Sequence, residues 1–306
     1  MLDVRKKASP VRGADFADDH QVRLLQGAEE LFPALIAAMD AALSDIQFET
    51  YIFDFTGAGA GVAEALMRAA ARGVRTQLVV DGVGTGPLPL AWAERFRAAG
   101  VQYRVYSPLG PLGLLLPHRW RRLHRKLCVV DGHVLFCGGI NVLDDFHDPN
   151  HGPLDAPRFD FAVQATGSLV ARASETMDQL WWRMQAVRDA RQRRLPEALQ
   201  ALRAASAAKH AARAAEAGPP MRAALVLRDN VRNRSRIEKA YRKAIGAARH
   251  EIIIANAYFV PGGKLRRALV MAARRGVRVR LLLQGRYEYF MQYHAARPVY
   301  GALLEA

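Results

Sequence analysis

His124 and Lys126 stand two residues apart in "LHRKLCVVDGHVLFCGGIN", residues 123–141, a run that goes on through Asp131, Gly138, Gly139 and Asn141. Side chains alternate along an extended chain, so His124, Lys126, Cys128 and Val130 share one side while Leu127 and Val129 take the other. Two basic groups therefore point into one place. An imidazole can attack an electrophile or carry a proton, and an ammonium can gather anionic oxygens. An isolated pair of this kind more often just reaches solvent, so the surrounding elements have to decide.

Those elements repeat. Residues 61–82, "GVAEALMRAAARGVRTQLVVDG", align without gaps to residues 264–285, "KLRRALVMAARRGVRVRLLLQG", with ten of 22 positions identical. Each copy reads as an amphipathic helix stopped by a glycine, Gly73 or Gly276, and followed by a β-rich strand. Each is preceded by another helix and strand, "LFPALIAAMDAALS" with "IQFETYIF" and "SRIEKAYRKAIGAA" with "EIIIANAYF". Alternation of this kind is the grammar of an α/β sheet flanked by helices, so the chain reads as two tandem α/β halves. Residues 1–20 read as an extension, 21–185 as the first half, 186–220 as an Ala/Arg-rich helical linker and 221–306 as the second half. The repeat offset would put a second H-x-K at about position 327, so the second half is expected to be incomplete within the 306 residues.

Composition narrows the partners. A net charge of +15, from 44 Lys and Arg against 29 Asp and Glu, calls for an anionic one: nucleic acid, a bilayer or a phosphorylated substrate. The two cysteines, Cys128 and Cys137, lack a Cys or His partner at zinc-like spacing and form no disulfide framework, so neither a metal nor a cofactor is expected. No stretch has the roughly 18 charge-free apolar residues of a membrane span.

The pattern H-x-K-x4-D-x6-G-G-x-N resembles the HKD motif of the phospholipase D superfamily. With "FETYIFDF", "ARGVRTQLVVDG", "AAGVQYRVYSP", "GGINV" and "ANAYFVPG" in order, the chain is similar to bacterial cardiolipin synthases of the short type without N-terminal membrane-spanning helices. The resemblance implies two phospholipase D-like α/β halves and transfer of a phosphatidyl group from phosphatidylglycerol to a second phospholipid through a phosphohistidine. His124 is then nucleophile or acid/base, with the choice open, and Lys126 and Asn141 hold the phosphate. Many relatives have a serine where Gly139 stands. The resemblance counts Asp131, the motif's acid, with His124 and Lys126 among the catalytic residues, although its parity is opposite to that of His124 and favours a brace for the turn at Gly132 over contact with phosphate. Asp160 would orient a histidine, and Glu49 and Asn256, at equivalent strand ends, would line the cleft.

The segment before the motif sets Leu114, Leu115, Leu116 and Trp120 beside Arg119, Arg121 and Arg122. Apolar, aromatic and basic residues together suit docking on an anionic membrane, and a buried loop with a basic rim is the alternative. The resemblance thus implies a peripheral enzyme on the cytoplasmic face of the membrane, with nucleic acid the less favoured partner and oligomeric state open. Because the two-histidine mechanism needs a partner for His124, the 306 residues by themselves are expected to turn over slowly or not at all.

Overall fold

The computed structural model describes residues 16–108, 121–148, 152–207, 210, 219–228, 235–257, 259–284, 300–301 and 303–306. It divides into two units, one of Phe16–Ala224 and one that includes Leu225–Ala306.

The first unit runs β1 (Ala17–Gln26), α1 (Gly27–Ala41), β2 (Asp45–Thr50), α2 (Gly57–Ala71), β3 (Arg75–Asp81), α3 (Leu90–Ala99), β4 (Gln102–Tyr106), β5 (Leu127–Val130) and β6 (Val134–Gly138). A short pair, β7 (His147–Asp148) and β8 (Gly152–Pro153), precedes β9 (Phe161–Thr166), α4 (Leu169–Arg191), α5 (Leu195–Ala207) and β10 (Met221–Ala223). Eight strands form one sheet in the order β10-β1-β9-β6-β5-β2-β3-β4. Strands β2, β3 and β4 are parallel, as strands joined by crossover helices must be, and the remaining pairings are antiparallel.

Both faces of this sheet are covered. Leu31, Leu35 and Met39 of α1 and Val62, Leu66 and Ala69 of α2 pack with Ile46, Phe48, Leu78, Val80, Cys128 and Val130 on one face. Trp181 of α4 packs with Val79 and Leu123, and the Gln47 amide donates to Asp178 of α4 at 2.6 Å. Strand β2 is accordingly buried almost end to end, which is why "IQFET" shows no clean alternation of polar and apolar residues.

The stretch expected as a linker is mostly part of this unit. Ala198, Ala201 and Ala205 are buried on α5 at three- and four-residue spacing, and such small side chains let one helix approach another closely. Strand β10 then pairs with β1, so the boundary falls after Ala224 rather than after residue 220. Strand β1 likewise begins before residue 21.

The second unit repeats the pattern with α6 (Arg236–Ala247), β11 (Glu251–Asn256), α7 (Gly263–Arg274) and β12 (Arg278–Leu283). Strands β11 and β12 are parallel, like β2 and β3. Both expected glycine stops have left-handed backbone, Gly73 at φ 91° and Gly276 at φ 85°, conformations that favour a residue without Cβ. Among the described residues its core is formed by Ile245, Phe259, Leu269, Ala272 and Val277.

Candidate functional site

His124 and Lys126 precede β5 rather than lying on it, since the strand begins at Leu127. The alternation expected for a strand still holds. Leu123 packs on the α4 face, whereas Cys128 belongs to the core under α1 and α2, and the two basic side chains share a neighbour in Tyr51. The Tyr51 and His124 rings lie 4.9 Å apart, tilted by 47°, and Lys126 Nζ sits 5.4 Å from the centre of the same Tyr51 ring.

Asp81, fully buried at the end of β3, fixes this approach. One carboxylate oxygen accepts the Leu123 N–H at 2.7 Å, immediately before His124. The other accepts the N–H groups of Val83 at 2.8 Å and Gly84 at 3.1 Å and the Arg122 guanidinium at 3.2 Å. The loop it organises seats Tyr51 in turn. Thr85 Oγ1 donates to the Tyr51 carbonyl at 3.0 Å, and a Cβ on Gly84 would fall 2.4 Å from that carbonyl and 2.8 Å from Tyr51 Cε2, so no other residue fits there without a shift. Neither Asp81 nor Tyr51 was legible as part of the site. An acid ending a strand in "VVDG" looks like an ordinary turn residue.

Lys126 is largely desolvated. Its Nζ is buried and has no hydrogen-bond partner among the described residues, and burial pushes its pKa down to about 8, with the Asp160 carboxylate pulling the other way. A buried ammonium with unmet donors is costly until an acceptor arrives. Burial also pushes the His124 imidazole below its ordinary value, and the Lys126 charge adds to this while Asp81 opposes it. The neutral imidazole required of a nucleophile or base is therefore favoured.

Asn141 follows β6 in an irregular segment rather than lying on a strand. Its Oδ1 accepts the Ile52 N–H at 3.2 Å, which turns the amide N–H groups toward whatever else they can reach. The two glycines before it serve packing. A Cβ on Gly138 would come 2.4 Å from Ala162 Cα, and one on Gly139 would come 2.2 Å from Asp160 Oδ1. They make room for β9 and for the Asp160 carboxylate, and a serine in place of Gly139 would have to displace Asp160.

Asp160 itself accepts the Phe161 N–H at 2.8 Å. Burial raises its pKa, while that hydrogen bond and the Lys126 charge lower it. No hydrogen bond joins it to His124 among the described residues, so the orienting contact expected with a histidine is replaced here by an electrostatic one with Lys126. Glu49 is also displaced from its expected role: 2% exposed on the α4 side of the sheet, it holds Arg125 at 3.2 Å and supports the motif from behind instead of lining a cleft. Asn256 is exposed at the end of β11, in the other unit.

Asp131 is the brace its parity implied. At φ 51° it turns back to accept the N–H groups of Leu43, Ser44 and Asp45 at 2.8–2.9 Å and the Ser44 hydroxyl at 2.8 Å. It thereby ties the β5–β6 turn to the connection between α1 and β2. Of the membrane-approach residues, Leu114, Leu115, Leu116, Arg119 and Trp120 lie outside the described residues. Arg121 is exposed, but Arg122 turns inward to Asp81 and is not available to a membrane. Both cysteines are free, and among the described residues no three His, Cys, Asp or Glu side chains gather as a metal site would require. No described helix is long and apolar enough to cross a membrane.

His124 and Lys126 thus share Tyr51 as a neighbour, and Asn141 holds the next residue, Ile52, by its backbone. The family model "Cardiolipin synthase, PLD-like domain" matches residues 35–151 and 241–306. Cardiolipin synthase B of Escherichia coli (strain K12) is 32% identical over 297 residues, 94% of this chain and 65% of that protein. Cardiolipin synthase of Geobacillus kaustophilus (strain HTA426) is 29% identical over 290 residues, 94% of this chain and 53% of that protein. The chain thus spans roughly half to two thirds of the length of these relatives. A crystal structure of phosphatidylserine synthase from Haemophilus influenzae Rd KW20 superposes with a TM-score of 0.57 at 12% identity, over 91% of this chain and 68% of that one, a likeness of fold alone. Motif, sheet and matched residues agree, and the chain belongs to the phospholipase D superfamily, in the family of cardiolipin synthase PLD-like domains.

Proposed function

We propose that this chain carries the first half-site of a phosphatidyl-transfer enzyme that makes cardiolipin from phosphatidylglycerol and a second phospholipid. The observation that carries the reading is the unpartnered, buried Lys126 ammonium beside His124 and above Tyr51, a cationic seat for phosphoryl oxygens within reach of an imidazole. In the transfer a histidine nitrogen attacks phosphorus, the P–O bond to glycerol breaks, and the departing glycerol takes a proton from a second histidine. The hydroxyl of the acceptor lipid then returns that proton and displaces the imidazole, so the P–N bond breaks as the new P–O bond forms. His124 fills one of these two positions. Within the 306 residues no second motif histidine fills the other, so the partner histidine is sought elsewhere in the working enzyme.

The test is cardiolipin and free glycerol formation in phosphatidylglycerol vesicles by the working enzyme, with both histidines present, in the presence and absence of a chelator, beside cleavage of plasmid DNA. Chelator-resistant lipid transfer that disappears in His124→Ala is the expected result. Diester cleavage of DNA without lipid transfer would assign the site to a nuclease instead.

A further inference from the structure

The outer sides of α6 and α7 form a groove of about 590 Å³ lined by Lys239, Arg242, Lys243, Lys264 and Arg267 with Ala268 and Met271. We propose that this groove is a docking surface for the headgroups of an anionic phospholipid bilayer.

Folding does not call for these cations. Lys239 and Lys243 lie four apart on one helix, and Lys264 and Arg267 three apart on the other, spacings at which like charges repel. Among the described residues none of the five has an ion pair. Glu238 is the single acid on the two helices, and it lines an adjoining recess with Lys239, Arg242 and Lys264. The first unit shows what the same helix pair does when only packing is at stake. There Ile36 Cδ1 lies 3.6 Å from the place of a Cβ on Gly61. With β2 aligned on β11, Ile36 corresponds to Arg242, and in the sequence repeat Gly61 corresponds to Lys264. Two cations have thus replaced an apolar contact, and a groove stands where the helices would otherwise close.

Charge alone would also suit a nucleic-acid backbone. Tyr241, Met271 and Val260, each half or more exposed in this unit, favour a bilayer, because a phenol and apolar tips have a place among headgroups and acyl chains that a phosphate ladder does not offer. The choice rests in part on the lipid chemistry proposed above. It differs from that reading in needing no turnover.

The experiment compares co-sedimentation with phosphatidylglycerol-containing vesicles and with neutral phosphatidylcholine vesicles, at low and moderate salt. The proteins are wild type, His124→Ala, a groove variant (Lys239→Gln, Arg242→Gln, Lys264→Gln and Arg267→Gln together) and a control that removes as much charge from α4, α5 and the turn between them (Arg183→Gln, Arg191→Gln, Arg193→Gln, Arg203→Gln). The groove variant should bind anionic vesicles at least about tenfold more weakly, while His124→Ala stays at wild-type affinity and the control changes less than about threefold. Its melting temperature should match or exceed wild type, since repulsion is relieved. Should it fail to fold, Arg242→Gln with Lys264→Gln is read in its place. Unchanged binding by the groove variant, or equal loss in groove variant and control, overturns the proposal. So does loss of duplex-DNA retention with vesicle binding intact. Groove-dependent binding without lipid transfer by the working enzyme, with both histidines present, would overturn the earlier functional reading and leave this one standing.

Discussion

Strands β2 and β3 of the first unit and β11 and β12 of the second have the same parallel pairing and the same ion pair at its start, Asp45 with Arg75 and Glu251 with Arg278. Their outer faces differ. In the first unit Gln47 and Val79 are 2% and 4% exposed beneath α4. The matching Ile253 and Leu282 are 61% and 56% exposed among the described residues. At the end of the strand Asp81 is buried and hydrogen-bonded, whereas Gln284, its counterpart in the repeat, is exposed. The local grammar of helix and strand is therefore written twice, and among the described residues a second layer buries the strand ends in the first copy alone. Burial is what makes Asp81 worth four hydrogen bonds, lowers the pKa of Lys126 and keeps water from satisfying it.

Substitutions at matched positions should separate the two regions. Val79→Asp places a carboxylate between sheet and α4 and should cost about 4 kcal/mol or more, while Leu282→Asp should change stability by about 0.5 kcal/mol or less, both read by urea denaturation. Equal costs would mean that β12 is as covered as β3. Asp81→Asn should cost about 3 kcal/mol, because an amide keeps one accepting oxygen and sets a donor NH2 against either the Leu123 N–H or the Val83, Gly84 and Arg122 donors. It should also lower kcat more than it raises KM by loosening the His124 approach, whereas Gln284→Ala should be near neutral.

Lys126→Met should stabilise the fold by about 1–3 kcal/mol at neutral pH while removing activity, the trade expected of a buried donor kept for its ligand. The sign follows from a pKa of about 8 in the folded protein against the ordinary lysine value of 10.5. Between those values the unfolded chain holds more protons, so the stability from this group rises with pH across that window. The cost of the buried charge is fully present below pH 8, and the advantage of Lys126→Met fades as pH climbs through the window. Activity that needs the ammonium should fall on the alkaline side near pH 8, and on the acid side below the ordinary histidine range, since His124 is shifted down.

Much of this was legible in the sequence because it rests on local pattern. The repeat announced itself by glycine stops and apolar periodicity, the H-x-K by its spacing, and the bracing role of Asp131 by its parity. Strands β10, β1 and β9, at one end of the sheet order, were harder, since β1 pairs on both sides with residues over a hundred positions away, in β9 and in the edge strand β10. The alanines of α5 look like a solvated linker until α4 is placed beside them. Glu49 and Asp160 were assigned from position along the chain, and their partners, Arg125 and Lys126, follow only from which face of the sheet each side chain takes.

Joint action of His124 and Lys126 on a phosphodiester is tested most directly by the rate of cardiolipin formation from phosphatidylglycerol vesicles by the working enzyme, both histidines present, as wild type, His124→Ala and Lys126→Ala, with folding confirmed by circular dichroism. A loss of about a thousandfold or more in His124→Ala, and of about a hundredfold or more in Lys126→Ala, is the predicted result. Retention of activity within about tenfold by folded His124→Ala would contradict it.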